Sequence, residues 1–352
     1  MRNFPSQISF ILLLFLFATT FNISICTAIV GKEVLCNEND QNILLIFKQG
    51  VVNSSNRLSS WTSQEDCCLW EGVHCDNITG RVTKLDLANH LLQGVINLSL
   101  LQLESLNYLD LSVNRFTSVC IPPCQVSKFP LHRDISNNQS IATSYTPSAS
   151  FSAPLHYLDF SYNSMALSDL HWLSQLSLVK YLNLSGNDIG SEPKWLQHVA
   201  MLPSLSELRL KHCGLRDFPS YNYVNFTSLK TLDLYYNNIL SKFPDSFFNV
   251  TKDISSIDLG WNHFYGGFPI ALFKLPNLNY LSLSYNKFEG SVPSLVGNFS
   301  SLISLDLSHN YFSGNVLESL GQLHKLSDLR IAGNPWAGIL SERNFANLTS
   351  LT

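Results

Sequence analysis

Seven aspartates recur at corresponding places along the chain: Asp86, Asp110, Asp134, Asp159, Asp233, Asp258 and Asp306. Two carboxylates about 5 Å apart are the machinery of a retaining glycosidase, one as nucleophile and one as acid and base. On neighbouring strands, ~4.8 Å apart, Asp233 and Asp258 would meet that separation. A catalytic pair is made once, however, and this column continues nearly everywhere along the chain, so it marks a repeat and not a site. His212 and His309 lie too far apart in such an array to share a metal. Ser-His-Asp combinations are plentiful only because serine is common, and Gly266 and Gly290 are turn glycines and not a phosphate loop. Adjacent Cys67 and Cys68, with Cys36 and Cys75, lack the C-x-x-C spacing of a zinc site. The reading is of a non-enzyme with no cofactor and no metal. A net charge of -4 with 14% charged residues provides no basic stripe, so nucleic acid is not an expected partner.

The elements that would position these residues follow from a period. Phrases such as LKTLDLYYN (229 to 237), YLSLSYNKF (280 to 288) and SLDLSHNYF (304 to 312) share the pattern LxxLxLxxN. Its Asn position is marked by His90, Asn114, Asn138, Asn163, Asn187, Cys213, Asn237, Asn262, Asn286, Asn310 and Asn334, at successive intervals of 24, 24, 25, 24, 26, 24, 25, 24, 24 and 24 residues. LxL alternation is a short strand, and about 24 residues suffice for one coil and its return. Stacked coils give one elongated solenoid with a parallel sheet and a buried leucine ladder, although 352 residues would otherwise suggest two domains. The Asn keeps its phase because its amide satisfies backbone where the strand bends inward, and Asn on Asn continues that bonding between coils. Residues 117 to 152 are rich in Ser and Pro, yet Asn138 holds the phase, so they read as a degenerate repeat with a loose loop. Cys213 takes an Asn place and reads as a buried, inert thiol.

The first 28 residues, with Arg2 and a ten-residue apolar run from Ile8 to Phe17, form a signal-peptide pattern with cleavage expected after Ala28. That run is shorter than the ~20 residues of a membrane span, and no later segment approaches one. Seven cysteines then remain: Cys36, Cys67, Cys68, Cys75, Cys120, Cys124 and Cys213. An odd count leaves at least one unpaired, and Cys120 with Cys124 would close a small local ring. Expected glycan acceptors are Asn53, Asn77, Asn97, Asn138, Asn225, Asn249, Asn298 and Asn347, while Asn183, inside a strand, is set aside.

NHFYGGFPIALFKLPNLNYLSLSYN (262 to 286) and NKFEGSVPSLVGNFSSLISLDLSHN (286 to 310) place a glycine four residues after the Asn and a proline seven after it. These phrases resemble the plant extracellular type of leucine-rich repeat, over roughly residues 36 to 352. The resemblance implies an α/β solenoid, a right-handed superhelix with a parallel concave sheet. It divides the chain into signal peptide (1–28), N-terminal cap (29–81) and about ten repeats (82–352), the last incomplete. SSWTSQEDCCLWEGVHC (59 to 75) looks like the cap of plant leucine-rich-repeat receptors, which implies the pairs Cys36 with Cys67 and Cys68 with Cys75. A terminal coil exposes core, so an apolar lid is required, and Leu44, Phe47, Trp61 and Trp70 are expected to form it.

The place just before the Asn carries Tyr162, Gly186, His212, Tyr236, Trp261, Tyr285, His309 and Gly333, pointing away from the leucines. From Tyr162 to His309 this is six coils, or about 29 Å. Tyr157, Tyr181, Tyr235 and Tyr280 are expected to flank it. Aromatics with polar tips cover much area at small entropic cost, which suits a binding face better than mere stiffening of the sheet.

The resemblance to receptor-like proteins that detect microbial elicitors implies a cell-surface ectodomain. Its concave face would take a peptide, protein or glycan, with a co-receptor kinase as a further partner of the full-length form. An alternative is a secreted inhibitor similar to polygalacturonase-inhibiting proteins, but those need a C-terminal cysteine pair, and none follows Cys213; a truncated soluble decoy is a third reading. In SERNFANLTSLT the leucine pattern stops just before another strand, so a fragment or short product is expected. The export reading predicts a secreted protein whose mass falls on enzymatic glycan removal. A secreted protein of unchanged mass would contradict it.

Overall fold

The structure is a computed structural model that describes residues 34–52, 56–122, 151, 153–219, 226–249, 251–338 and 342–351. The expected signal peptide, Asn53, Cys124, Asp134, Asn138 and Asn225 lie outside these residues.

One sheet runs the length of the molecule. Ten parallel strands, from Val82–Asp86 to Asp328–Arg330, follow one another in chain order, and Val73–Cys75 adds an antiparallel strand at the N-terminal edge. Most strands have three residues, and their register is leucine on leucine: Leu208, Leu232, Ile257, Leu281 and Leu305 pair in turn. These side chains are buried, as are the second apolar residues of each phrase, Leu210, Leu234, Leu259, Leu283 and Leu307. Return paths are mostly single 3-10 turns, such as Ile270–Lys274 and Ser294–Asn298, which press Leu272 and Val296 onto the same core. Each coil is too short to bury its own leucines and depends on its neighbours.

Neighbouring coils are joined through the Asn. The Nδ2 of Asn286 donates to the carbonyl of Leu259 in the preceding coil at 2.8 Å and to Leu283 and Ser284 of its own at 3.1 Å. Its Oδ1 accepts the N–H of Phe264, again in the preceding coil, at 2.9 Å. Asn237, Asn262, Asn310 and Asn334 repeat the pattern. Cys213 substitutes a weaker donor: its Sγ lies 3.4 Å from the carbonyls of Leu184 and Lys211. It is buried with no disulfide, and desolvation pushes its pKa up to about 12, so the thiol is inert as expected.

The reading of residues 117 to 152 as a repeat is corrected. Tyr108–Asp110 pairs directly with Tyr157–Asp159, and Asn163 bonds the carbonyl of Leu111 and the N–H of Phe116, 52 and 47 residues earlier. The coils of Asn114 and Asn163 are therefore adjacent in the sheet, with no strand between theirs. The phrase HRDISNN around Asn138 lacks the LxL pattern and lies outside the described residues. Cys120 is disulfide-bonded, with its partner outside the described residues.

The cap covers the first coil. Helix α1 (Glu38–Gln49) starts at Asn37, whose side chain accepts from the amides of Asn39 and Asp40. Disulfides join Cys36 to Cys67 and Cys68 to Cys75, as the resemblance implied. Leu44, Phe47, Trp61 and Trp70 are all buried, with the two indoles stacked at 5.1 Å. Buried Asp40 pairs with Arg81 at 3.0 Å and accepts the N–H of Val82 at 2.9 Å, fixing the helix to the first parallel strand.

Replacing Asn286 by Asp removes the amide donors and sets a carboxylate against three carbonyls. A buried charge left without a partner costs about 3 to 5 kcal/mol, so urea unfolding should show a loss at least as large as that of Leu281→Ala, expected at about 2 to 5 kcal/mol.

Candidate ligand-binding face

Most strands end in the same local device, the exceptions being those that carry Arg209, Ser282 and Arg330 at that place. The central Asp accepts the N–H two residues on: Asp233 from Tyr235 at 3.2 Å, Asp258 from Gly260 at 2.9 Å, Asp306 from Ser308 at 2.9 Å. This is an Asx turn that ends the strand. Asp110, Asp159 and Asp233 are buried, so the column is not a uniformly solvent-facing row. The carboxylates act on backbone amides, which accounts for their recurrence.

The next residue, just before the Asn, is left-handed in coil after coil. Tyr162, His212, Tyr236, Trp261, Tyr285 and His309 have φ between 51° and 59°. Glycine fills the same place at Gly186 and Gly333, with φ 74° and 70°. A residue with a Cβ pays roughly 1–2 kcal/mol for this conformation. The rings nonetheless form a continuous ladder. Tyr236 and Trp261 stack at 5.7 Å, Trp261 and Tyr285 at 4.3 Å, Tyr285 and His309 at 4.1 Å, while His212 meets Tyr236 edge-on at 5.0 Å. Tyr236, Trp261 and Tyr285 remain 47%, 42% and 40% exposed. Tyr162 stands apart: its ring lies over Gly186, where a Cβ would approach it to 2.7 Å.

The flanking tyrosines belong elsewhere. Tyr157 and Tyr181 start their strands and, with Tyr108, stack at 4.2 and 4.3 Å. Tyr280 occupies the same row four coils on from Tyr181, past Glu207, Thr231 and Ser256. These hydroxyls are turned to carboxylates, Tyr181 to Asp159 at 3.3 Å and Tyr280 to Asp258 at 3.2 Å. Burial, and then the nearby aspartates, raise the pKa of Tyr157, Tyr181 and Tyr280. Lys84 sits 4.3 Å over the Tyr108 ring and Arg209 5.8 Å over that of Tyr181, so cations close both ends of this shorter stack. Of the four, only Tyr235 adjoins the main ladder, 6.1 Å from Tyr236.

Beside the ladder runs a groove of about 820 Å³. Its floor is the Asn row, and its far wall is the residue just after each Asn, including Asp188, Asn238, His263, Lys287 and Tyr311. Sequence reasoning passed over this wall. The signal was there: these exposed polar residues alternate with the buried Asn and the buried Ile239, Phe264, Phe288 and Phe312 that follow.

Among the expected glycan acceptors, Asn77, Asn298 and Asn347 are exposed, and Asn249 closes a short 3-10 turn. Asn97 is withdrawn: it is buried, and its side chain caps the turn Leu98–Gln102 by accepting from Ser99. Asn183 is buried too, donating to Asp159 at 2.9 Å. The sulfurs of Cys36, Cys67, Cys68 and Cys75 lie within 4.8 Å of one another, but as two cystines they offer no thiolate to a metal.

Residues 37–76 match the Leucine rich repeat N-terminal domain, and 175–192, 228–250, 277–299 and 301–323 match leucine-rich-repeat models. The chain is 35% identical over 299 residues to Receptor-like protein EIX1 of Solanum lycopersicum, a match covering 79% of this chain and 28% of that protein. It is a leucine-rich-repeat protein related to the plant receptor-like proteins. Receptor-like protein EIX2 of the same plant is 36% identical over 248 residues, 66% of this chain and 24% of the relative. The chain thus spans about a quarter of the length of the curated relatives it matches. Among solved structures, the Arabidopsis receptor kinase HAESA, in complex with the peptide hormone IDA and the co-receptor SERK1, superposes with a TM-score of 0.61 at 23% identity, over 86% of this chain and 55% of that one. A plant ice-binding protein superposes with 0.58 at 22% identity, over 90% and 84%. At such identities the likeness establishes the fold. No helix among the described residues is long and apolar enough to cross a membrane.

Burial raises the pKa of Asp258 above the ordinary carboxylate value, outweighing the amide bond from Gly260 that lowers it. A carboxylate whose folded pKa is raised costs stability when ionised, and the cost fades as pH falls through the raised value. Asn occupies this row naturally at Asn183. Asp258→Asn should therefore stabilise the leucine-rich-repeat chain at neutral pH, and the gain should shrink towards zero in acid. Thermal unfolding across that pH range measures it.

Proposed function

We propose that this leucine-rich-repeat chain is a ligand-recognition segment of a plant cell-surface receptor-like protein, exported and acting outside the cell. Recognition, not catalysis, is its role, and the ring ladder is its contact surface. The observation that carries the reading is the left-handed backbone under the rings. Gly186 and Gly333 adopt it without a Cβ, yet four consecutive coils from Tyr236 to His309 place bulky rings there and leave them substantially open to solvent. Strain retained across consecutive positions is a reason to look for function in the side chains. The relationship to receptor-like proteins EIX1 and EIX2 supports the reading, as does the peptide-hormone complex of the structurally similar HAESA. A co-receptor kinase is the expected further partner of a full-length form.

The test is a panel of microbial proteins, peptides and cell-wall fragments screened against the parent. Any ligand found is then measured on Tyr236→Gly, Trp261→Gly and Tyr285→Gly combined. Buried aromatic anchors cost about 2 kcal/mol or more each and are not additive, so affinity should fall at least ~30-fold. A ligand that binds parent and triple variant equally places recognition elsewhere.

A further inference from the structure

Away from the ring ladder, the cap carries an apolar surface that the core does not use. Of the large apolar side chains exposed among the described residues, the three most open are Leu69 at 82%, Ile78 at 81% and Leu35 at 67%, and all three belong to the cap. Three segments bring them together at Gly80. The carbonyl of Gly80 accepts the N–H of Asn37 at 2.9 Å, and the Sγ of Cys68 lies 3.9 Å from the same oxygen. A Cβ at Gly80, where φ is 66°, would collide with the carbonyl of Leu35 and reach Cγ1 of Val34 at 3.3 Å. Leu35 precedes Cys36, Leu69 follows Cys68, and Ile78 lies two residues before Gly80, so the disulfides Cys36 to Cys67 and Cys68 to Cys75 hold the group in place. Single apolar residues on a surface are ordinary, whereas a cluster calls for a cover.

The same loop supplies one. Ile78 is the middle residue of Asn77-Ile78-Thr79, the N-glycan acceptor pattern. Asn77 is exposed in the hairpin loop that joins Val73–Cys75 to Val82–Asp86. That loop is pinned, because Asp76 accepts the Thr79 hydroxyl at 2.8 Å and the N–H groups of Thr79 and Ile78 at 2.8 and 3.1 Å. These bonds, in that order, hold the Asp76 carboxyl below its ordinary pKa. A sugar joined to Asn77 therefore starts beside Ile78. The faces of a pyranose ring are C–H groups, and the acetamido methyl of the first sugar is apolar too, so both exclude water from aliphatic side chains. A protein docking on this surface would meet that glycan first.

We propose that an N-linked glycan on Asn77 folds back over Leu35, Leu69 and Ile78 and closes the outer face of the cap. This rests on the export reading above, under which Nδ2 of Asn77 loses a proton and bonds the anomeric carbon of a lipid-pyrophosphate-linked oligosaccharide, the lipid pyrophosphate leaving. The tether holds the sugars at an effective concentration in the ~mM range, which half-occupies even a contact whose own dissociation constant is ~mM.

The test uses the full chain secreted from a eukaryotic host, with occupancy at Asn77, Asn298 and Asn347 recorded by glycopeptide mass spectrometry. Asn77→Gln should speed exchange of the Cys36, Leu69 and Ile78 amides by about twofold or more and raise the fluorescence of a hydrophobic dye. Asn298→Gln should change neither. Where Asn77→Gln is not secreted, enzymatic glycan removal from the folded parent supplies the comparison. Leu35→Ser, Leu69→Ser and Ile78→Ser combined keep the acceptor pattern, and in that background Asn77→Gln should have no further effect. An unoccupied Asn77 in a chain glycosylated at Asn298 or Asn347 would overturn the inference. So would exchange and dye binding unchanged by loss of the Asn77 glycan, or changed equally in the serine background. A glycosylated parent that dimerises, and ceases to with the three serines, would give the surface to a second copy and overturn it as well. These outcomes leave the recognition reading standing, whereas a secreted chain with no glycan at any acceptor would sink the export reading with it.

Discussion

The molecule depends on one side-chain amide. In each coil the Asn reaches back to a carbonyl and an amide of the coil before and holds carbonyls of its own, all out of water. Leucine burial supplies the larger favourable free energy, but leucines alone do not set where a strand must end. The Asn does, since an unpaired buried carbonyl or amide costs about 1–3 kcal/mol. Where the donor is weaker, at Cys213, the neighbouring Asn237 still accepts the N–H of Cys213 at 2.9 Å, and the stack continues unbroken.

That fixed strand end determines the row of outward side chains proposed for recognition. The residue just before the inward Asn is held in the left-handed region, its side chain turned outward, both in coils with the Asx turn and in those that carry Arg209, Ser282 or Arg330 instead. Because the coil spacing is close to the stacking distance of aromatic rings, successive side chains at that place meet face to face. Ladder and groove are thus by-products of the repeat, and what this particular chain contributes is the choice of residue: rings at Tyr236, Trp261, Tyr285 and His309, glycine at Gly186 and Gly333. The rim of charged and amide groups opposite, at Asp188, Asn238, His263 and Lys287, follows from the same register one position beyond the Asn.

The solenoid and the ring ladder were legible because each rests on a column that the period exposes directly. Asn138 misled because spacing was counted without its leucines; the backbone needs both the amide and the LxL to form a coil, and only Asn163 had them. Tyr157, Tyr181 and Tyr280 were grouped with the ladder because they are near it in sequence, whereas strand register places them at the opposite ends of the strands. The buried state of Asp110 and Asp159 was hidden for a related reason: the tyrosines of the strand starts cover that part of the sheet, and their hydroxyls approach those carboxylates. Asn97 shows the limit of a sequon, since the same side chain that could carry a glycan is the cap of a buried turn.

The central claim is that the exposed rings serve recognition and are not what holds the solenoid together. Removing one interior ring tests this directly, through the unfolding free energy of Trp261→Gly against the parent. Two ring contacts are lost, each worth about 0.5–1.5 kcal/mol, while a left-handed backbone cost of roughly 1–2 kcal/mol is relieved. The terms nearly cancel, so the account predicts a change within about 1 kcal/mol. A loss of about 3 kcal/mol or more, the size expected for deleting a core leucine, would show that the ladder is structural and contradict the account.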